Sequence, residues 1–257
     1  TYYCFPFFRG ESYENNSLLF SEGPVYRMDI LKSLGFENPP ETAEEFYEVL
    51  VAIKNAGVVE IPFSIRAEHI NRMLAPAFDS WDTWYVEDGE VKHGYLDDNR
   101  YDYLAFVNKL YKEGLLDNDY MSVNKNGMNS MFLSGRVAVA YNPGSLIGNA
   151  VATMPDAEIS SAKPLSSVKG QNSKFAKMNT VFDTGAASAA AITTSCKNIE
   201  AAARLLDYAY GEEGHLLANF GIEGVTYEMI DGYPTYTDFV NENKDDVLAR
   251  YTRANVN

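Results

Sequence analysis

The sequence is poor in cysteine. Its two thiols, Cys4 and Cys196, lie far apart, with no Cys-x-x-Cys pair and no dense cysteine framework. A zinc ribbon and a disulfide-stapled scaffold are therefore excluded; the two thiols either pair or stay free. Histidine is scarce as well. None of His69, His93 and His215 has a second His or a Cys at metal-ligand spacing, so no metal is expected. Cationic residues are in short supply: 21 Lys+Arg stand against 36 Asp+Glu, a formal net charge of −15. That balance argues against a nucleic-acid partner, because a phosphate backbone needs Lys and Arg. It equally disfavours docking on an anionic membrane surface. No apolar run reaches the about 18 residues that a membrane helix needs. Residues 185–192 come nearest, and they are short and alanine-rich. No basic segment leads into an apolar stretch at the start, so no signal-peptide pattern is present. The Gly-x-Ser-x-Gly elbow, the Walker loop and Gly-x-Gly-x-x-Gly are all missing.

What is present is an ordinary globular composition. The chain has 257 residues, 46% hydrophobic and 22% charged, enough for one large domain or two small ones with a buried core. It opens at Thr1 with TYYCFPFF, which reads as a strand from the middle of a fold, and an excised or processed piece is expected. Residues 25–35 predict a short helix stopped by Gly35. Thr42 caps a stronger helix, with Glu45 three residues on in a capping-box pattern. Phe46, Val49, Leu50 and Ile53 form its apolar face, and Gly57 ends it. Residues 60–65 read as a strand and 70–78 as helix. Asp88-Gly89 and Asp231-Gly232 mark two hairpins. Residues 101–113 read as a helix with Tyr103, Leu104, Val107, Leu110 and Tyr111 as its apolar stripe, 126–133, 198–210 and 212–220 as further helices, 136–141 as a buried strand and 186–193 as a strand of small residues. Alternating strands and helices make the class α/β.

Catalytic signals are weak. Acids are abundant, among them Asp79, Asp82, Asp97, Asp98, Asp117, Asp119, Asp183 and Glu223, so coincidental pairs of the glycosidase kind come easily. Asp117-Asn118-Asp119 opens like a calcium loop but lacks its later Gly and Glu, and is read as a turn. Aromatics say more. Of 18 Tyr, 14 Phe and 2 Trp, several fall in loop contexts. Trp81 and Trp84 flank Asp82, Tyr141 ends a strand before Asn-Pro-Gly, and Tyr227 follows GIEGV. An aromatic face beside a carboxylate suits a sugar ring, which offers C–H groups to the face and hydroxyls to the acid. Packing in cores and hairpins is the competing role for the same residues.

Three stretches carry a family likeness. GPVYRMDILKSLGFENPPET, followed by Glu45-Phe46, is the first; YKEGLLDNDY, followed by FLSGRVAVAYNPGS, is the second. The third is NIEAAARLLDYAYGEEGHLLANFGIEGVTY, followed by DGYPTYTD. In this order they resemble the bacterial extracellular solute-binding proteins of family 1, the maltose-binding-protein-like sugar receptors of ABC importers, in their lipoprotein branch. The resemblance implies a periplasmic-binding-protein type II architecture of two α/β lobes that close on ligand. It implies a truncated form here, mostly the C-terminal lobe with part of the N-terminal one. Residues 1–11 are then a hinge strand, 12–158 the C-terminal lobe, 159–219 a return into the N-terminal lobe, and 220–257 a hinge returning to the C-terminal lobe. The family's opening portion, its leader with a lipid-bearing cysteine and its last helices are expected to be absent.

The same likeness implies the ligand-binding residues. Arg9 follows the hinge strand. Arg66, Glu68 and His69 follow the strand EIPFSI, and Trp81 and Trp84 precede the hairpin. Tyr141 and Ser145 flank a strand end. Asp183 sits in FDTG, and Glu223 and Tyr227 sit in GIEGVTY. Structural ion pairs are the alternative for Arg9 and Arg66, and a hinge contact for Glu223. The implied function is an extracellular, cell-surface receptor, non-enzymatic and without a cofactor. It would act as a monomer that binds an oligosaccharide and delivers it to ABC permease subunits, with no nucleic acid and no membrane insertion. A carbohydrate hydrolase using two of Glu68, Asp183 and Glu223, and a cell-surface sensor that transports nothing, are the alternatives.

Overall fold

The computed structural model describes residues 4–9, 22–143, 145–175, 182–183, 189–243 and 246–249, the last residues of β6 and both of β8 by backbone alone. In chain order the elements begin with β1 (Phe7–Phe8), β2 (Glu22–Arg27), α1 (Met28–Ser33), α2 (Ala43–Ala56), β3 (Ile61–Ser64) and α3 (Ala67–Leu74). There follow β4 (Trp84–Glu87), β5 (Glu90–His93), α4 (Asn99–Lys112), α5 (Lys125–Leu133), β6 (Val137–Pro143), α6 (Ser145–Thr153) and β7 (Ile159–Ser161). Last come β8 (Phe182–Asp183), α7 (Ile199–Tyr208), α8 (Glu212–Asn219), β9 (Tyr227–Ile230), β10 (Tyr233–Tyr236) and α9 (Asp238–Glu242). Contacts divide the chain into two compact units, Phe20–Asn179 and the pairing of Thr1–Leu19 with Thr180–Asn257.

The Phe20–Asn179 unit is built on a four-stranded sheet of order β3-β6-β2-β7. β3 runs parallel to β6, while β2 is antiparallel to both β6 and β7. Helices cover both faces of the sheet. On one, α2, α3 and α4 bring Phe46, Leu50, Ile53, Met73, Leu74, Tyr103 and Leu110 against Tyr26, Phe63 and Val139. On the other, Phe132 of α5 and Leu146 and Ala150 of α6 close over Val25, Val137 and Ala140. A strand buried on both faces needs no polar alternation, which is why RVAVAY is nearly all apolar. Each large side chain so buried contributes about 2–3 kcal/mol. Thr42 caps α2 as expected: its hydroxyl accepts from the Glu45 N–H at 3.3 Å. The Glu45 carboxylate reaches back to the Glu41 N–H at 2.9 Å, and Gly57 ends the helix at φ 62°. Asp88-Gly89 and Asp231-Gly232 turn the two hairpins with positive φ throughout, at 54°, 81°, 52° and 83°.

Three local expectations change. Residues 25–27 are strand, and the helix begins only at Met28. The segment sits between β6 and β7, and ladder bonds on both sides outweigh a helical spacing that short. Residues 145–153, unassigned from the sequence, form α6. In α4 the buried face is Tyr103 and Leu110, whereas Leu104 is 51% and Tyr111 43% exposed. Of the strand expected at 186–193, residues 186–188 lie outside the described residues, and within 189–193 only Ala190 pairs, in an isolated bridge with Phe5.

In the other unit, β1 pairs antiparallel with β8, and Phe5 exchanges backbone hydrogen bonds with Ala190 at 2.7 and 3.0 Å. Tyr210, just past α7, donates its hydroxyl to the Pro6 carbonyl at 2.5 Å. The GIEGVTY loop winds about the fully buried Thr226, whose hydroxyl bonds the backbone of Phe220 and Ile222. Phe220 packs on Tyr227 and Tyr236 of the β9–β10 hairpin, with ring centroids 5.9 and 5.6 Å away.

Candidate functional site

The strand directions gather chemistry at one end of the large sheet. The C-terminal ends of β3 and β6 lie beside the N-terminal end of β2, with Glu22 opposite Pro143 and Ser64 opposite Ala140. Beyond Ser64 the chain turns through Ile65 and Arg66 into α3. Arg66, His69 and Arg72 follow at three-residue intervals and so line one side of that helix. Open α/β sheets bind ligands at the carboxyl ends of their strands, because the loops there project free of the covering helices.

Glu22 joins this group from β2, and Tyr141 from β6. Arg66 donates from Nη1 to Glu68 Oε1 and from Nη2 to His69 Nε2, both at 2.6 Å. Arg72 Nη1 donates to Glu22 Oε2 at 2.9 Å. His69 Nδ1 is 3.1 Å from the same Oε2 but poorly aligned, and it makes no hydrogen bond. A guanidinium can only donate, so His69 Nε2 accepts and the ring is neutral with its proton on Nδ1. Burial is the main force holding the His69 pKa below its ordinary value, and Arg66 and Arg72 add to it. The Tyr141 ring lies 5.5 Å from that of His69; burial, with the Glu22 charge adding to it, pushes its phenol up to about 12. Glu68 is the most open member, its side chain 59% exposed, whereas His69 and Tyr141 are buried.

The remaining expected residues lie elsewhere. In the same unit, Trp81 stacks on Phe175 at 5.8 Å, and Trp84 stands 66% exposed on the β4–β5 hairpin with the His93 ring at 4.6 Å. Ser145 opens α6, four residues past Tyr141 in the chain. In the other unit, the Arg9 guanidinium lies over the Phe7 ring at 4.9 Å, and Asp183 pairs with Phe7 in the β1–β8 ladder. Glu223 is exposed in the GIEGVTY loop and bridges to Tyr227, which is buried. Of the expected set, Arg66, Glu68, His69 and Tyr141 therefore come together, and Glu22 and Arg72 join them unanticipated. The three-residue spacing from Arg66 through His69 to Arg72 was a readable sign for Arg72. Glu22 had none, since its place depends on the register of β2 against β6.

A polar cavity of about 480 Å³ lies apart from this group, among Asp79, Tyr85, Glu87, Lys92, Asp97 and Lys174. Its charges are already matched. Lys174 and Lys92 both bond Glu87 and hold its pKa down to about 2, and Tyr85 donates to Asp97 at 2.8 Å. These contacts tie the hairpin to the segment around residue 174. Among the described residues, no cluster of three or more His, Cys, Asp or Glu side chains suits a metal ion. No helix among them is long and apolar enough to cross a membrane.

Residues 15–215 match the family described as bacterial extracellular solute-binding protein. The chain is 27% identical over 243 residues to Lipoprotein LipO of Bacillus subtilis, covering 86% of this chain and 46% of that protein. Alginate-binding protein AlgQ2 superposes with a TM-score of 0.70 at 23% identity, over 98% of this chain and 52% of its own. A solute-binding protein of Bifidobacterium longum infantis, described as binding HMO and ABC-transporter associated, superposes at 0.64 with 20% identity, over 90% and 49%. The S. pneumoniae ABC-transporter protein FusA, solved with kestose, does so at 0.64 and 20%, over 91% and 50%. This chain spans about half the length of the relatives it matches. The structure shared with these proteins is an α/β fold over about half of their length.

Proposed function

The chain belongs to the bacterial extracellular solute-binding protein family, and from that we propose that it is the ligand-binding part of an ABC importer's receptor for an oligosaccharide. The observation that carries this reading is the strand-end group: two carboxylates, two guanidiniums and an aromatic pair at the carboxyl ends of parallel strands. Carboxylate and guanidinium groups in fixed geometry bond sugar hydroxyls directionally, and the surrounding aromatics supply apolar faces. The kestose bound to FusA, at low sequence identity, supports the ligand class.

Within the proposal, Arg66, Glu68, Glu22 and Arg72 meet ligand, while His69 and Tyr141 hold them in place from beneath. Trp81, Trp84, Ser145, Arg9, Asp183, Glu223 and Tyr227 complete the proposed set. Ligand favours a closed state by binding it better, and that state delivers ligand to the permease. The protein works as a monomer, lipid-anchored at the cell surface, and performs no chemistry on what it binds. Titration calorimetry against a panel of oligosaccharides is expected to show saturable binding, with bound glycan recovered intact by chromatography. Silence toward every glycan overturns the sugar reading, and recovery of shortened glycan overturns the non-catalytic one.

A further inference from the structure

The charges at the strand ends cancel. Arg66 meets Glu68 at 2.6 Å and Arg72 meets Glu22 at 2.9 Å, so two guanidiniums face two carboxylates. His69 adds no charge, because its Nε2 accepts from Arg66. The groups are also partly withdrawn from water: the side chains of Arg66, Glu22 and Arg72 are 16%, 25% and 30% exposed. Charges in such a setting are screened less than surface charges, so their balance governs which ligand can enter. Each guanidinium is already paired with a carboxylate, Arg66 keeping only a buried Nε without a partner, and an arriving anion meets Glu68, the most exposed of the six, first. Oε1 of Glu22 has no hydrogen-bond partner among the described residues, while Oε2 is held by Arg72. A carboxylate pinned by one oxygen presents the other, in fixed direction, as an acceptor for a hydroxyl.

We propose that the strand-end site selects uncharged, multiply hydroxylated ligands over uronate-type anions, with Glu68 and Glu22 as the residues that enforce the choice. This deepens the sugar-receptor reading and rests on it. Removing either carboxylate charge uncovers a guanidinium and turns the site toward anions. Discrimination of this kind comes as much from repelling the wrong ligand as from holding the right one.

The test is titration calorimetry of the chain at pH 7.5 with two oligosaccharide sets of equal length, neutral gluco- and fructo-oligosaccharides and uronate oligosaccharides. The neutral set is expected to bind at least about tenfold tighter, with little dependence on salt. Glu68→Gln, at an exposed position that tolerates the change, is expected to raise uronate affinity about tenfold and make it salt-sensitive. Glu22→Gln is expected to do the same and also to weaken the neutral ligand. Thermal melts of both variants without ligand check that the fold is kept. Uronates binding the unsubstituted chain as well as neutral sugars overturns the selectivity and leaves the sugar receptor standing. Folded variants whose uronate affinity does not rise overturn the assignment to Glu68 and Glu22. No heat with either set overturns the receptor reading and this inference with it.

Discussion

His69 lies against Arg66, Arg72, Glu22, Glu68 and Tyr141, and the fold wants its ring uncharged. Its folded-state pKa is below the ordinary 6.5, so between those two values the unfolded chain binds the extra proton. Stability is therefore complete above pH about 6.5 and declines as pH falls through the window beneath it, ahead of the carboxylates near pH 4. Urea unfolding at pH 7.5, 6 and 5 is expected to show that slope, and His69→Gln is expected to flatten it; an unchanged slope contradicts the neutral assignment. Buried polar pairs make a second residue-scale prediction. Ser64 donates to Asp117 Oδ2 at 2.7 Å in the core, and Asp117 Oδ1 takes the Asp119 N–H at 3.0 Å in a turn. Ser64→Ala leaves a buried carboxylate oxygen without its donor and is expected to cost about 1–3 kcal/mol in urea unfolding. At this scale the sequence was legible where residues share an element. Arg66, Glu68 and His69 belong to the start of one helix, and the turn at Asp117 is local. Ser64 with Asp117, and Glu22 with Arg72, are partners across the fold that no spacing announces.

Elements were most legible where their ends are chemically marked. α2 has Thr42 at one end and Gly57 at the other, and both hairpins turn on Asp-Gly. α6 was missed because Gly148 and the preceding Asn-Pro-Gly argue against a helix, and only burial of Leu146 and Ala150 on the sheet supports it. That origin makes a prediction. Gly148 is exposed within α6, and a Cβ there meets nothing within 4 Å. Gly148→Ala is expected to stabilise the chain by about 0.5–1 kcal/mol. Gly94, just after β5, is the opposite case, since a Cβ would come 2.3 Å from the Trp81 carbonyl oxygen. Gly94→Ala must move backbone and is expected to destabilise by about 2–3 kcal/mol in the same thermal melts. Equal effects at the two glycines would contradict the placement of both. The mistaken helix at 25–27 has the complementary lesson: apolar spacing over a few residues is overridden by a sheet bonded on both sides.

At the scale of the molecule, both buried clusters belong to Phe20–Asn179. In the other unit α7 buries no residue, and Ile199 and Leu205 are 61% and 73% exposed. A fragment comprising 20–179 is therefore expected to fold alone, with a cooperative thermal transition by circular dichroism and native-like near-ultraviolet bands; a gradual, featureless melt contradicts its independence. The excess of acid over base, −15 overall, coexists with a strand-end group in which the charges balance, so the global charge does not describe the local one. By itself the sequence determined the class of fold, the marked helices and hairpins, and the family, because each is written in contiguous residues: caps, periodicity and signature phrases. Only the tertiary structure decided which residues meet at the strand ends and what charge they carry together. Glu22 reaches Arg72 through the antiparallel register of β2 on β6 and the path of α3, and pairing across a sheet leaves no trace in the spacing of residues along the chain.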